Sequence, residues 1–203
     1  MKIAIIGATG KAGSRVRDEA LARGHEVTAI ARNPDGIPKR DRLTARRGEV
    51  FDLDGMARLL AGHDAVVSAT RFKAVGAKPI VDAVKKAGVK RLLVVGGAGS
   101  LEVAPGKQLV DTPDFPAVAK EEASAGRIFL NALKAERDLD WTFLSPSGTF
   151  APGARTGKFR VGKDALLKDA QGQSSISMED YAIAMVDELE KPKHSRARFT
   201  VGY

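Results

Sequence analysis

Three glycines stand three residues apart near the start of the chain, directly after an apolar run that ends at Ile6: Gly7, Gly10 and Gly13. A helical pattern follows them, so the segment predicts a strand, a tight turn and a helix. Gly7 permits the turn, Gly10 leaves room for an approaching phosphate, and Gly13 allows the helix to pack closely on the strand. The free N–H groups and the dipole of the helix N-terminus favour anions. The residues expected to hold the diphosphate of a dinucleotide are Gly7, Thr9, Gly10, Lys11, Ala12 and Gly13.

The residue that would distinguish the two pyridine nucleotides follows the second predicted strand, Glu26–Ala31. Folds that bind NAD place an acidic residue about 20 positions beyond the glycines, where it holds the ribose 2′-hydroxyl. Here Arg32 stands 19 residues after Gly13, and no carboxylate lies beside it. A guanidinium pairs instead with a 2′-phosphate through charge-assisted hydrogen bonds. We therefore expect Arg32, with Asn33 next to it, to bind NADP; the alternative is an ordinary surface arginine at a strand end.

The tips of three further predicted strands complete the expected site, because ligands of a parallel sheet bind beyond the carboxyl ends of its strands. After the third strand, Asp52 is expected to accept a hydrogen bond from the adenine amine, and Leu53 to line the ring. Helix capping is the alternative role for Asp52 and the favoured one for Asp54. The residues expected beside the nicotinamide and its ribose are Ser68, Ala69, Thr70, Gly96 and Gly97.

The elements that must position these residues alternate between strand and helix. Strands are predicted over residues 2–6, 26–31, 43–50, 64–68, 91–95 and 141–144, and helices over 13–23, 54–60, 78–86, 116–137 and 177–189. This alternation predicts an α/β fold, a doubly wound parallel sheet of strand order 3-2-1-4-5-6 with right-handed crossovers. Short strands near residues 158–161 and 198–201 are expected as C-terminal additions. Residues 1–203 are expected to form a single domain.

Composition narrows the function classes. Hydrophobic residues make up 43% of the 203 residues and charged residues 29%, which is typical of a globular protein. The net charge is +8, but aromatic residues make up only 5%, and the densest basic patch (residues 39–47) lacks interleaved aromatics. This pattern favours attraction of anionic small molecules over nucleic-acid binding.

The composition also limits which catalytic groups the protein can use and where in the cell it is expected. Cysteine is absent, which excludes disulfides and thiolate catalysis, and the three histidines lie far apart, so no metal site is expected. No apolar run approaches the roughly 20 residues of a membrane span. We expect a cytoplasmic protein, a monomer or a homodimer, that acts on a small molecule.

The chain resembles the atypical short-chain dehydrogenase/reductases, and more narrowly the NAD(P)H-binding proteins related to NADH-flavin reductases and biliverdin reductase B. The resemblance rests on residues 7–13 and 31–34 and extends over the whole chain, including residues 94–101, 141–146 and 176–182. It implies a Rossmann fold, a reduced pyridine nucleotide, and a flavin or quinone as the hydride acceptor, with FMN or FAD as substrate. The candidates for the wall of the acceptor pocket are Arg71, Phe72, Ser100, Leu101 and Lys120. Phe72 is expected to stack on an isoalloxazine ring.

One departure from the wider superfamily affects the expected reaction. Typical members use a Tyr-x-x-x-Lys pair, in which the lysine lowers the pKa of the tyrosine for proton transfer to a carbonyl. Here Tyr181 is followed four residues later by Met185, and the other tyrosine is Tyr203. Biliverdin reductase B also places a serine where this chain has Gly96 and Gly97. Reduction of a flavin or quinone depends less on a side-chain acid, because the reduced product can take its proton from water.

Tyr181 is therefore expected to pack rather than to transfer a proton. Two other functions stay open. One is a catalytically silent NADP-binding sensor of redox state, which the missing acid favours. The other is a nucleotide-sugar epimerase or dehydratase, which the missing Tyr-x-x-x-Lys and the short chain disfavour.

Overall fold

The computed structural model describes all 203 residues, which form twelve strands and five α-helices. The strands are β1 (Lys2–Ile6), β2 (Glu26–Ala31), β3 (Leu43–Arg47), β4 (Ala65–Ser68), β5 (Arg91–Val95), β6 (Glu102–Ala104), β7 (Lys107–Gln108), β8 (Asp140–Ser145), β9 (Thr149–Ala151), β10 (Arg160–Gly162), β11 (Ser175–Ser177) and β12 (Ala197–Gly202). The helices are α1 (Lys11–Ala22), α2 (Leu53–Leu60), α3 (Ala77–Lys86), α4 (Ala117–Ala135) and α5 (Met178–Glu190), and a short 3-10 turn covers Leu109–Asp111.

Eight strands form the central sheet, in the order β10-β12-β8-β5-β4-β1-β2-β3. Seven of them run parallel, and β10 pairs antiparallel with β12 at the edge. Because β8 is the sixth predicted strand, the expected order 3-2-1-4-5-6 is confirmed. The C-terminal strands β12 and β10 extend the sheet beyond it. Two small pairs, β9 with β11 and β6 with β7, lie outside the sheet.

Helices cover both faces of the sheet, which is why its strands read as nearly continuous apolar runs. In β1, Ile3 and Ile5 pack under α1 and α5, while Ala4 and Ile6 face α2, α3 and α4. This alternation follows from the period of two residues in a strand. The two layers hold the carboxyl ends of β1, β2, β4 and β5 at one edge of the sheet, where the predicted site lies.

Three element boundaries near that edge differ from the expected ones. Helix α1 begins at Lys11 instead of residue 13, because Gly10 already has the extended backbone of an N-cap, with φ −69° and ψ 162°. Strand β3 ends at Arg47 instead of residue 50. The N-cap of α2 is Asp52, whose carboxylate accepts from the Gly55 N–H, so the capping role expected for Asp54 is wrong.

Candidate functional site

A cleft of about 290 Å³ opens at the carboxyl ends of β1, β2 and β4. The strand order reverses between the neighbouring strands β1 and β4, and ligands of doubly wound sheets bind at this point. The residues that line it are Ile6, Gly7, Thr9, Gly10, Ile30, Ala31, Arg32, Gly48, Glu49, Val50, Phe51, Ala69, Thr70, Arg71, Ala74 and Val75.

The turn between β1 and α1 uses its three glycines in three different ways. Gly7 has φ +82°, a left-handed conformation that side chains rarely adopt, and a Cβ there would lie 2.6 Å from the carbonyl oxygen of Ala69. A Cβ on Gly13 would lie 2.3 Å from the carbonyl oxygen of Gly7, so close packing of helix on strand requires glycine. A Cβ on Gly10 would meet only the Gly7 carbonyl oxygen, at 3.3 Å. Gly10 is therefore the glycine that faces open space at the cleft.

The N-terminus of α1 is free to bind an anion. The first hydrogen bond of the helix runs from the Ser14 N–H to the Gly10 carbonyl oxygen (2.9 Å), so the N–H groups of Lys11, Ala12 and Gly13 have no acceptor in the protein. Gly10 supplies no side-chain cap, and the first turn of the helix carries no acidic residue. These N–H groups and the helix dipole together favour a phosphate at this position.

Arg32 extends from the end of β2 into the cleft, and it is exposed without a carboxylate partner. Two other arginines of this region have a carboxylate partner. Arg15 on α1 donates to Glu179 at 2.9 Å, and Arg40 pairs with Asp18 at 3.2 Å. Arg32, at the tip of β2, has no such partner, so its charge remains available to a ligand.

The next loop of the cleft follows β4. Ala69, Thr70 and Arg71 all line the cleft. Ser68 is buried below them, with its Oγ 3.3 Å from Thr70 Oγ1. Arg71 projects into solvent, with 82% of its side chain exposed and its Nε 3.9 Å from a carboxylate oxygen of Glu122. The loop therefore brings a hydroxyl group and a second cation to the cleft.

Glu122 on α4 fixes this loop, a contact that the local sequence does not predict. Its carboxylate oxygens accept hydrogen bonds from the backbone N–H groups of Phe72 (2.7 Å) and Lys73 (3.2 Å). A glutamate on a long helix carries no local sign of such a contact, because the loop that it holds lies 50 residues earlier in the chain.

The structure brings together seven of the predicted residues in the cleft and places the others around or away from it. The residues inside are Gly7, Thr9, Gly10, Arg32, Ala69, Thr70 and Arg71. Lys11, Ala12 and Gly13 form the adjoining first turn of α1. Asn33 follows Arg32, and its side-chain oxygen accepts from the Asp35 N–H (3.2 Å). The residues that do not line the cleft are Asp52, Leu53, Ser68, Phe72, Gly96, Gly97, Ser100, Leu101 and Lys120.

The residues expected to contact adenine, Asp52 and Leu53, do not line the cleft. Asp52 uses its Oδ1 to accept from the Gly55 N–H at 3.0 Å, and Leu53 begins α2 outside the cleft. Glu49 and Val50 line the cleft in their place. The sequence signal for Glu49 and Val50 is Gly48, because a glycine directly after a strand indicates that the strand has ended.

Phe72 cannot stack on a ligand as expected, because its ring belongs to the core. The residue is 9% exposed, and its ring centroid lies 5.2 Å from that of Phe129 and 5.9 Å from that of Phe143. A Cβ on Gly126 would lie 2.9 Å from the Phe72 ring, so the glycine makes room for it. Phe72 therefore anchors the loop after β4 instead of forming the pocket wall.

The other expected wall residues also lie elsewhere. Ser100 is 3% exposed, and its Oγ accepts from Arg198 at 3.3 Å, while Leu101 is fully buried. Lys120 lies exposed on α4. Gly97 lies beside the Phe72 ring, which a Cβ would approach to 3.6 Å. The wall predicted from Phe72, Ser100 and Leu101 is therefore wrong.

Tyr181 lies in the core between α5 and the sheet, as its helical position predicted. It is fully buried, and its hydroxyl donates to the Leu144 carbonyl oxygen (2.6 Å) and accepts from the Gly96 N–H (3.2 Å). Burial raises the pKa of the Tyr181 phenol well above its ordinary value, so the hydroxyl stays protonated. Its neighbour is the ring of Phe150, with centroids 4.7 Å apart. The geometry is that of a packing residue and confirms this expectation.

The fold and the cleft together define a Rossmann-like protein with a site suited to a dinucleotide. The open face at Gly10, the three free N–H groups of α1 and the unpaired Arg32 fit the phosphates of such a ligand. The chain belongs to the NAD(P)H-binding family, whose model matches residues 7–192.

Three solved structures resemble the whole chain. A Burkholderia pseudomallei protein, named as a candidate exported protein, is 50% identical with a TM-score of 0.92, and the match covers 100% of both chains. A Bacteroides thetaiotaomicron protein, named as a candidate epimerase, is 46% identical with a TM-score of 0.95, over 100% of this chain and 96% of that one. A Streptococcus pneumoniae protein, named as a candidate NADH-flavin reductase, is 36% identical with a TM-score of 0.88, over 100% and 99%.

The helices of the protein are too short or too polar to cross a lipid bilayer.

Proposed function

We propose that the protein is an NADPH-dependent oxidoreductase that transfers hydride to a flavin, a quinone or a similar conjugated acceptor. The observation that carries the proposal is that one cleft combines an uncapped helix N-terminus with an arginine that no carboxylate neutralises. The first suits a diphosphate and the second a 2′-phosphate. NADPH carries both groups, whereas NADH lacks the 2′-phosphate.

Each part of the coenzyme has a partner among the residues of this edge. The N–H groups of residues 11–13 would hold the diphosphate, and Arg32 the 2′-phosphate. The carboxylate of Glu49 would accept from the adenine amine. The nicotinamide end would lie toward Thr70 and the tip of β5, at Gly96 and Gly97, as the sequence predicts. When bound, the coenzyme supplies the hydride.

The side chains that line the cleft support the proposed type of acceptor. The titratable residues that line it are Arg32, Glu49 and Arg71, and Tyr181 is buried away from it. No tyrosine–lysine pair is present to protonate an alkoxide, so an acceptor that takes its proton from water fits best. Flavins and quinones are such acceptors, and FMN or FAD would serve as substrate. The name of the Streptococcus pneumoniae relative agrees with this choice.

The second candidate is a catalytically silent sensor that binds NADP and reports redox state to a partner. The burial of Tyr181 favours it, because binding needs no proton donor. An epimerase or dehydratase acting on nucleotide sugars is the third candidate, and the name of the Bacteroides relative agrees with it. The missing tyrosine–lysine pair weighs against it. We also propose that the protein is cytoplasmic and a monomer or homodimer.

Steady-state oxidation of NADPH with FMN, FAD or a soluble quinone tests the proposal. We expect turnover above the rate without protein, followed through the absorbance of the reduced nicotinamide. Saturable NADPH binding with no turnover on any of these acceptors would favour the sensor. Absence of NADPH binding would refute both readings.

A further inference from the structure

Phe51 places an exposed aromatic ring at the cleft. It is 67% exposed, and it lines the cleft together with Glu49 and Val50. Of the large hydrophobic side chains that are exposed elsewhere, Val118 and Ile128 lie on α4, away from this cleft. Burial of an exposed phenyl ring is favourable, because it removes apolar surface from water. A planar aromatic ligand can bury the ring by stacking on it.

The turn that carries Phe51 is fixed at both ends. The Gly48 N–H donates to the Ala31 carbonyl oxygen (3.1 Å), and the Asp52 N–H donates to the Glu49 carbonyl oxygen (3.0 Å). Asp52 then caps α2 through the Gly55 N–H. A Cβ on Gly48 would lie 2.6 Å from the Ile30 side chain, so the turn sits directly on the core. The ring of Phe51 is thus presented to the cleft by a backbone that is already ordered before a ligand arrives.

The surroundings select a purine among planar ligands. Ile30 and Val50 give the cleft an apolar surface, and Glu49 contributes a carboxylate that can accept from an exocyclic amine. Arg32 supplies the site for a phosphate on the ribose attached to that base. An apolar floor, an acceptor for an amine and a neighbouring phosphate site match an adenosine group.

We propose that Phe51 is the stacking platform for the adenine ring of the bound nucleotide and thereby selects adenine nucleotides. This inference rests on the proposed binding of the coenzyme and is independent of the hydride acceptor. It assigns Phe51 and Arg32 to different parts of the ligand. Phe51 contacts the base, which NADPH and NADH share, whereas Arg32 contacts the 2′-phosphate, which only NADPH has.

Fluorescence titrations with three nucleotides test the assignment. Phe51→Ala is expected to weaken NADPH and NADH by the same factor, between about 5-fold and 150-fold, the range for stacking of one base on an aromatic side chain. Reduced nicotinamide mononucleotide has no adenine, so its affinity is expected to stay unchanged. Phe51→Tyr should restore the affinity of the parent for both dinucleotides. Leu53→Ala is the matched control, because Leu53 is 38% exposed at the start of α2, two residues after Phe51, but lies outside the cleft.

The outcomes separate this inference from the proposed function. Thermal unfolding should be nearly unchanged in Phe51→Ala, because the ring contributes little to the core. NADPH binding by the parent with no loss in Phe51→Ala would overturn the stacking role alone. A loss for NADPH without a loss for NADH would also overturn it, because the ring would then act on the phosphate. If the parent bound no dinucleotide, both the inference and the proposed function would fall.

Discussion

Removal of the Tyr181 hydroxyl is expected to cost stability and to leave the chemistry almost intact. The hydroxyl bridges the Leu144 carbonyl oxygen and the Gly96 N–H, where β8 and β5 end. Without it, the Gly96 N–H still donates to the Leu144 carbonyl oxygen at 2.8 Å, so neither backbone group loses its last partner. Tyr181→Phe removes both contacts of the hydroxyl but leaves no backbone group unpaired, so the cost is expected to be about that of one ordinary hydrogen bond, about 0.5–1.5 kcal/mol. For a domain of this size, 1 kcal/mol corresponds to a fall in Tm of about 2–4 °C.

The matching activity measurement is NADPH oxidation with a flavin or quinone acceptor. Because the phenol is fully buried outside the cleft, and because its raised pKa makes it a weak proton donor, kcat is expected to stay within about tenfold of the parent. A positioned general acid typically supplies about 10²–10⁴-fold. Tyr203→Phe is the control, since that hydroxyl donates to Asp180 and lies outside the cleft. A fall in kcat of about a thousandfold in Tyr181→Phe, with NADPH affinity and stability unchanged, would refute the reasoning and favour carbonyl reduction.

Two further variants test the phosphate site and the contacts that hold the outer face of α1. Gly10→Val is expected to keep the fold and to weaken NADPH binding at least about tenfold, which corresponds to the loss of one hydrogen bond to a charged group. Gly76→Val, at the uncapped N-cap of α3, is the control. Unchanged NADPH affinity in Gly10→Val would contradict the phosphate assignment. The hydrogen bond from Arg155 lowers the pKa of Glu19 below its ordinary value of 4.5. The stability that Glu19 contributes is therefore present above pH 4.5 and is lost as the pH falls below that value. Glu19→Gln should therefore make Tm depend less on pH on the acid side. A dependence of Tm on pH as steep as that of the parent would argue against this role.

The parts of the fold that could be predicted are those encoded locally. The glycine spacing at residues 7–13 predicts the β1–α1 turn, and the alternation of elements predicts the first six strands of the sheet. The edge formed by β12 and β10 is a different case. Strands near residues 158–161 and 198–201 could be expected from their composition, but their pairing with β8 and with each other depends on contacts distant in sequence, for which no local pattern exists.

The candidate site likewise has residues whose positions the local sequence predicts and residues whose positions it does not predict. Arg32 could be placed because the end of β2 is defined by the register of a strong apolar run. Asp52 and Leu53, the residues expected beside adenine, do not line the cleft. The reason is that β3 ends at Arg47 and not at residue 50, so that Glu49 lies there instead. Phe72 was misassigned because its burial depends on the space at Gly126, on a helix far along the chain. An aromatic residue after a strand has the same local sequence whether its ring faces a ligand or the core.

We propose that the cleft binds NADPH with its 2′-phosphate on Arg32. Fluorescence titrations of NADPH and NADH with the parent and with Arg32→Ala test it most directly. The parent is expected to bind NADPH more tightly than NADH. Arg32→Ala should weaken NADPH by about 1.5–3 kcal/mol, the contribution of a hydrogen bond to a charged group, and leave NADH almost unchanged. Equal losses for the two coenzymes, or a preference of the parent for NADH, would contradict the claim.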